Sequence, residues 1–316
     1  MRYSIGIPAF KGRFLEECIN SILSQTFLDF ELIIVNDCSP DEILSIVTKF
    51  NDSRISYFEN EINIGAENVI DNWNKCLSLA KGDFFILMGD DDKLAPDYLK
   101  EFDKLIYNYP DLDVFHCRIN IINENSEEIE LSNSCPEFEN TDTYILNCLE
   151  GRSEQFISDF VYKRNTLLSN GGFFKLPLAW CSDYASAFIA CGIKGIAYTP
   201  SPVFFYRKNQ FNITSTSSVE LKRVAMIGME NWLSKYLNNQ NNSSHLLNKT
   251  FNRFKKRNKE AFIQQMIGRN ILHGFYKCIA NRNLFEISLV NFMTLFYAML
   301  ISRKEIKFYK NIRSLF

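Results

Sequence analysis

The sequence predicts an α/β protein with a mostly parallel central sheet flanked by helices, followed by a basic helical extension. Three observations carry this expectation. Short apolar runs alternate with helix-period segments through the N-terminal part; one apolar run ends in three consecutive aspartates, Asp90 to Asp92; and charge divides sharply near residue 249. Strand, helix, strand with short connections is the pattern of a parallel sheet covered on both faces.

The elements follow in order. Ile5 to Ala9, Glu31 to Val35, Ile55 to Phe58 and Phe84 to Met88 are short, apolar and bounded by turn residues, so they read as strands. Phe14, Cys18, Ile22 and Leu23 recur at helical spacing, as do Val69, Trp73, Cys76, Leu77 and Ala80. In such sheets ligands bind outside the carboxyl ends of the strands. Pro8 to Lys11, Asn36 to Ser39 and Gly89 to Asp92 therefore belong to one rim. From Asp113 the pattern loosens: Val114 to Cys117 and Ile119 to Ile122 suggest strands, Thr141 to Glu150 and Ser182 to Cys191 helices, and Ile196 to Thr199 with Val203 to Tyr206 a closing pair of strands. The polar stretch Asn238 to Ser244 reads as a linker or exposed loop. The expected organisation is a globular domain over 1–237, with halves 1–112 and 113–237, and a helical extension over 238–316.

Composition narrows the class. With 316 residues and 46% hydrophobic content, the chain can bury a large core and is not disordered as a whole. Nine cysteines without a C-x-x-C pair and only three histidines argue against a disulfide scaffold and against a zinc site, and for a reducing compartment. Pro8 interrupts the first apolar stretch, so no secretory signal is expected and a cytoplasmic location is. From Lys249 onward there are 14 Lys and Arg against 3 Asp and Glu, a balance of +11, while the rest carries 21 against 34, or −13. A basic tail on an acidic body suits a phosphate-bearing surface, or is simply a solvated helical face. Phe251, Phe254 and Tyr309 suit an anionic membrane surface at which the protein would be peripheral, and without a nucleic-acid motif no nucleic acid is expected as a partner. Leu284 to Ile301 is apolar but contains Glu286; a bilayer span needs about 20 mostly apolar residues, so a helix lying on the protein or in a membrane interface is expected. No Walker or G-x-G-x-x-G pattern is present.

The aspartates carry the chemistry. Three adjacent carboxylates at the end of a buried strand would be costly in the core, so they belong in water or around a cation. Magnesium or manganese favours such oxygens and could bridge nucleotide phosphates; the plain alternative is an acidic loop capping the helix that starts near Pro96. Asp37 ends the second strand, where it is either a ligand-binding carboxylate or a turn residue in Asn-Asp-Cys-Ser-Pro.

In combination the motifs resemble the family 2 glycosyltransferases. They run from Ser4-Ile-Gly-Ile-Pro-Ala-Phe10 through Leu15 to Phe27, Phe30 to Asp41, Asn63-Ile-Gly65 and Asn72 to Asp83 to the Asp90 to Asp92 cluster, covering about residues 3 to 210. The resemblance implies a glycosyltransferase A fold, with a nucleotide-sugar-binding half followed by an acceptor half. It also implies an inverting transfer from a nucleotide-sugar donor, expected to be UDP-linked, with Mn2+ or Mg2+. By the same resemblance Asp37 would accept a hydrogen bond from the base, while Pro8, Ala9 and Phe10 would lie beside the base and ribose. Asn63 and Gly65 would form a turn near the nucleotide, although Phe10 could be core and Gly65 could serve backbone geometry alone. The family's Asp-Ser-Asp-Asp is here Gly89-Asp90-Asp91-Asp92, which makes Asp91 the first choice of metal ligand, Asp92 the second, and Asp90 a donor contact.

Trp180-Cys-Ser-Asp183 and the stretch ending Phe205-Tyr206-Arg207 are similar to the family's Glu-Asp helix and Tyr-Arg strand end. Asp183 thus falls on the base position, its alternative being a carboxylate favoured by a helix N-terminus. Arg207 would contact the diphosphate, Asn209 stands where many relatives have His, and Gln210 to Ser218 is read as an acceptor loop. A lipid-linked or surface-polysaccharide glycan fits as acceptor. Gly89 and Ser182, at positions usually acidic, motivate a second reading as a catalytically inactive nucleotide-sugar-binding partner protein.

Overall fold

The computed structural model describes residues 1–209, 218–239 and 245–267, together with Tyr297. Its sheet has strands β1 (Tyr3–Ala9), β2 (Phe30–Asn36), β3 (Ile55–Glu59), β4 (Phe84–Leu87), β5 (Lys93–Leu94), β6 (Val114–Ile122), β7 (Glu128–Leu131), β8 (Phe138–Glu139), β9 (Phe160–Lys163) and β10 (Ile196–Arg207). The order is β3-β2-β1-β4-β9-β6-β10-β5, with β7 beside β6 and β8 beside β10. Helices are α1 (Leu15–Leu23), α2 (Ile43–Val47), α3 (Val69–Leu79), α4 (Tyr98–Asn108), α5 (Thr141–Leu149), α6 (Arg164–Ser169), α7 (Ser182–Cys191), α8 (Val219–Asn239) and α9 (His245–Ile267).

The first half is the expected parallel block, since β3, β2, β1 and β4 pair in parallel. Every residue of β2 is buried; Leu32 and Ile34 face one core cluster, with Leu15, Ile19 and Phe102, while Ile33 and Val35 face the other, with Ile70 and Leu77. A strand covered on both faces needs a continuous apolar run, which is why the sequence shows no alternation there. The second half is more mixed than expected. β9 lies antiparallel between β4 and β6, and β5, β7 and β8 add antiparallel edges.

Two expected strand pairs are single strands. Arg118 does not interrupt β6, because its Nε donates to the Ser132 carbonyl at 2.9 Å. Pro202 sits within β10 at a register shift against β6, where a missing N–H is tolerated.

The expected boundary after residue 237 falls in the last turn of α8, and α8 and α9 share one core. Ala225, Met229, Leu233 and Leu237 of α8 and Leu247 and Phe251 of α9 join the second cluster. Arg257 caps α5 by donating to the Leu149 carbonyl at 2.8 Å. The expected interfacial helix over Leu284 to Ile301 lies outside the described residues except for Tyr297, and most of the Asn238 to Ser244 and Gln210 to Ser218 loops do too. Among the described residues no helix is long and apolar enough to cross a membrane.

Candidate active site

The carboxyl ends of β1, β2 and β3 are level, with Ala9 opposite Asn36 and Asn36 opposite Glu59. Asp37 follows directly, its N–H donating to the Ala9 carbonyl at 2.9 Å. Ala9 is fully buried and Pro8 half-buried, whereas Phe10 stands 41% exposed at the rim. Asp37 itself is buried and firmly oriented: Oδ1 accepts from Asn60 Nδ2 at 2.7 Å and from the Ile64 N–H at 3.0 Å. Asn63 Nδ2 reaches the Asp37 carbonyl at 2.7 Å and Oδ2 at 3.2 Å. Asn63 and Asp37 are thus brought together, and Gly65 completes the turn at φ 81°, ψ 161°, a conformation essentially confined to glycine. A carboxylate with two oxygens has lone pairs beyond these bonds, so this pocket can still accept from a ring N–H.

The three aspartates divide their tasks. Asp90 Oδ2 accepts the backbone N–H groups of Phe10 at 2.8 Å and Lys11 at 2.7 Å, tying the aspartate loop to the β1 rim. Asp91 Oδ2 accepts from Asn209 Nδ2 at 2.7 Å. Asp92 is buried, with Oδ1 accepting the Arg207 N–H at 2.8 Å. Burial, reinforced by the Asp91 charge, pushes the Asp90 carboxyl up to about 6 and holds that of Asp92 well above the ordinary range.

The donor set fits a hard divalent cation. A Cβ built on Gly89 would lie 2.7 Å from Asp92 Oδ2 and 3.4 Å from Asp91 Oδ1, so both carboxylates converge on a space that only glycine leaves open. Carboxylate oxygens crowded into one space are what magnesium or manganese binds. Asp90, spent on two backbone N–H groups, stands apart from this pair.

Asp92 also lines a cleft of about 480 Å³ together with Asp183. Trp73, Phe156, Trp180, Tyr184 and Tyr206 supply apolar walls, Phe156 and Tyr206 stacking with centroids 3.9 Å apart. Asp183 opens α7 behind Cys181, whose φ of 64° turns the chain into the helix. Its Oδ1 accepts its neighbour Tyr184's N–H at 2.9 Å, and burial pushes its carboxyl up to about 7. A carboxyl poised there can take a proton near neutrality.

Arg207 is fully buried. Its Nε donates to the Asp91 carbonyl at 2.7 Å, one terminal nitrogen to the Asn123 and Glu124 carbonyls at 3.1 and 3.3 Å, and the other to Glu17 Oε2 at 2.6 Å, with Phe14 under the guanidinium at 4.2 Å. These partners hold the aspartate loop and leave a diphosphate contact to other groups. Sequence reasoning missed Glu17 and Ser158, whose Oγ accepts the Gly89 N–H at 3.0 Å. Both act through tertiary contacts; only the acidic pair Glu16-Glu17 inside the helical pattern hinted at one of them.

Comparison with known proteins agrees with this architecture. The structure superposes on S. aureus TarS 1-349 in complex with UDP-GlcNAc with a TM-score of 0.58, at 18% identity, covering 90% of this chain and 91% of that one. It superposes on the mannosyltransferase PcManGT of Pyrobaculum calidifontis, in complex with GDP-Man and Mn2+, with a TM-score of 0.59, at 16% identity, covering 99% and 82%. These likenesses show a glycosyltransferase A fold. The GalNAc(5)-diNAcBac-PP-undecaprenol beta-1,3-glucosyltransferase of Campylobacter jejuni is 36% identical over 96 residues, which are 29% of this chain and 30% of that protein. The chain spans about a third of the length of such curated relatives. Residues 4–167, more than half of the chain, match the family model for Glycosyl transferase family 2, and the chain belongs to that family.

Proposed function

We propose that this chain is an inverting glycosyltransferase that moves a sugar from a nucleoside-diphosphate sugar to a hydroxyl of a glycan, lipid-linked or part of a surface polysaccharide. The observation that carries this reading is the sharing of one cleft by Asp183 and Asp92, beside a rim on which Asp37 is held ready to accept a hydrogen bond. Asp37, with Asn63 and the Gly65 turn, would take the base, Pro8 to Phe10 the adjacent ribose, and a uracil ring N–H is a donor Asp37 can accept. Asp183 would accept the proton of the attacking hydroxyl as its oxygen bonds to the anomeric carbon, while the bond to the diphosphate breaks and its electron pair leaves with the nucleotide. Asp91 and Asp92 would hold Mn2+ or Mg2+, which neutralises charge on the departing diphosphate. Asp90 would fix the aspartate loop against β1, and Arg207 would position that loop from behind.

The neighbours in complex with UDP-GlcNAc and with GDP-Man and Mn2+, and the relative acting on an undecaprenol-linked glycan, support donor, metal and acceptor class. Lys249, Arg253 and Lys256 follow one another at helical spacing around a groove on α9, which suits an anionic membrane surface at which such an acceptor would be anchored. The test is a panel of UDP- and GDP-sugars with Mn2+ or Mg2+, read by thermal shift and by nucleotide release. One donor should stabilise the chain and release its diphosphate on transfer. A chain stabilised by no donor would sink the proposal, and binding without turnover across donors and acceptors would favour the inactive partner protein.

A further inference from the structure

Away from the cleft, three side chains from separate parts of the chain meet with metal-binding chemistry. His116 of β6, Cys135 of the segment between β7 and β8, and Glu139 of β8 bring one ligand atom each within 4.8 Å of one another. His116 is 1% exposed and neither ring nitrogen has a hydrogen-bond partner among the described residues; Glu139, 3% exposed, has Oε2 likewise unpartnered. A buried imidazole with both nitrogens unsatisfied costs several kcal/mol, by about 1–3 kcal/mol for each polar atom. Aromatic rings of Tyr144, Phe160 and Tyr198 enclose His116, so the ring is fixed and has little alternative to the space it shares with Cys135 and Glu139.

We propose that His116, Cys135 and Glu139 form a structural site for a zinc-type divalent cation, distinct from the catalytic cation site. The donor set is one imidazole nitrogen, one thiolate and one carboxylate oxygen, the mixture that zinc takes and that magnesium and calcium do not. Tetrahedral bonds of about 2.0–2.3 Å separate ligand atoms by about 3.3–3.8 Å, so the three groups close in by about 1 Å on loading. Each is in a suitable state or can reach one: burial keeps His116 neutral, its pKa lowered to about 3, and Cys135 surrenders its thiol proton to solvent as the metal bonds. Cys135 is only half-buried, which gives the ion an entry path and leaves the fourth position to water. The neighbouring contacts orient the ligands. Asn147 Nδ2 donates to Glu139 Oε1 at 2.5 Å, leaving Oε2 for the metal, and Ser153 Oγ lies 3.5 Å from Cys135 Sγ.

The consequence is mechanical. His116 stands opposite Tyr198 of β10 and Phe160 of β9, and Glu139 stands opposite Ile196 of β10. An ion across these residues would staple the irregular segment around Cys135 onto the acceptor-side half of the sheet. The sequence argued against zinc because the ligands have no paired spacing; the ligand set exists only once β6, β8 and β10 have assembled.

The test uses the full chain, untagged, loaded with Zn2+ or Co2+ and freed of excess metal by gel filtration. Stoichiometric zinc should be retained, and the cobalt form should show the near-ultraviolet band of thiolate-to-cobalt charge transfer. Cys135→Ser, at a half-buried position, should abolish that band and weaken zinc by at least the about 10–100-fold that loss of an outer-shell partner costs. Glu139→Gln, nearly isosteric, should weaken zinc similarly and serves if the first variant folds poorly. Asp91→Asn should leave both readouts unchanged, which separates this site from the catalytic one. Retention of no metal by the parent chain, or a cobalt band that survives Cys135→Ser, would overturn the proposal.

Discussion

The backbone N–H of Arg207 donates to Asp92 Oδ1 at 2.8 Å, so the end of β10 and the aspartate loop move as one unit. The guanidinium strengthens that unit through the Asp91 carbonyl and Glu17. Arg207→Met should therefore cost about 3 kcal/mol of stability, the low end for breaking a buried ion pair, because Glu17 keeps access to water. Arg207→Lys should recover little, since an ammonium cannot reach three directions with a planar fork. Denaturant unfolding and donor titration distinguish the roles. A lysine variant of parental stability with a raised donor KM would restore the diphosphate contact and defeat the positioning role.

Asp91 and Asp90 should separate cleanly in metal binding. Asp91→Asn should weaken Mn2+ by at least about tenfold, since losing even an outer-shell partner of a metal ligand costs about 10–100-fold. Asp90→Asn keeps an acceptor oxygen for the Phe10 and Lys11 N–H groups, so its Mn2+ affinity should stay within about threefold of the parent. Gly89→Asp, which restores the family's first carboxylate, should weaken binding rather than improve it, because its Cβ would press on Asp92 Oδ2 at 2.7 Å. Electron paramagnetic resonance of free Mn2+ measures all three; an Asp90→Asn loss as large as that of Asp91→Asn would shift the ligand register by one residue.

Much of this site was legible because its parts sit at strand ends. The β1, β2 and β4 runs locate Pro8 to Phe10, Asp37 and the aspartates on one rim without any knowledge of packing, and helix periodicity places Asp183 at the start of α7. What was not legible depends on long-range partners. The sequence gives Arg207 a charge; only the folded chain shows that Glu17 and the carbonyls of Asp91, Asn123 and Glu124 absorb it. The antiparallel β9 was missed for a similar reason: four residues with no alternation carry no direction, and pairing with β4 on one side and β6 on the other supplies it.

Gly65 provides a test of the nucleotide pocket. At φ 81° and ψ 161° a side chain is strained even though the nearest atom to an added Cβ, Asn63 Oδ1, is 3.6 Å away. Gly65→Ala should cost about 1–3 kcal/mol locally, and the turn should relax by shifting Asn63 and Ile64 off Asp37. Donor affinity should fall more than the turnover rate. An alanine variant with parental donor affinity would show that the glycine serves the backbone alone.

Asp183 carries the sharpest pH prediction. Its folded pKa of about 7 lies above the ordinary carboxylate value of 3.8, with burial as the main cause. As a base it must be ionised, so the transfer rate should rise with pH through about 7 and then level. Stability should move the other way. Between the two pKa values the folded chain binds the proton more tightly than the unfolded chain, so the stability present below pH 3.8 is lost as pH rises through about 7. Asp183→Asn mimics the neutral form: it should lower transfer by about 10²–10⁴-fold while keeping donor affinity. Its melting temperature should match the parent near pH 4 and exceed it increasingly toward pH 7. Paired melts and initial rates across that range check both arms. A variant that transfers at the parental rate would remove Asp183 as the base, whereas a constant gap in melting temperature would place its proton affinity at the ordinary value.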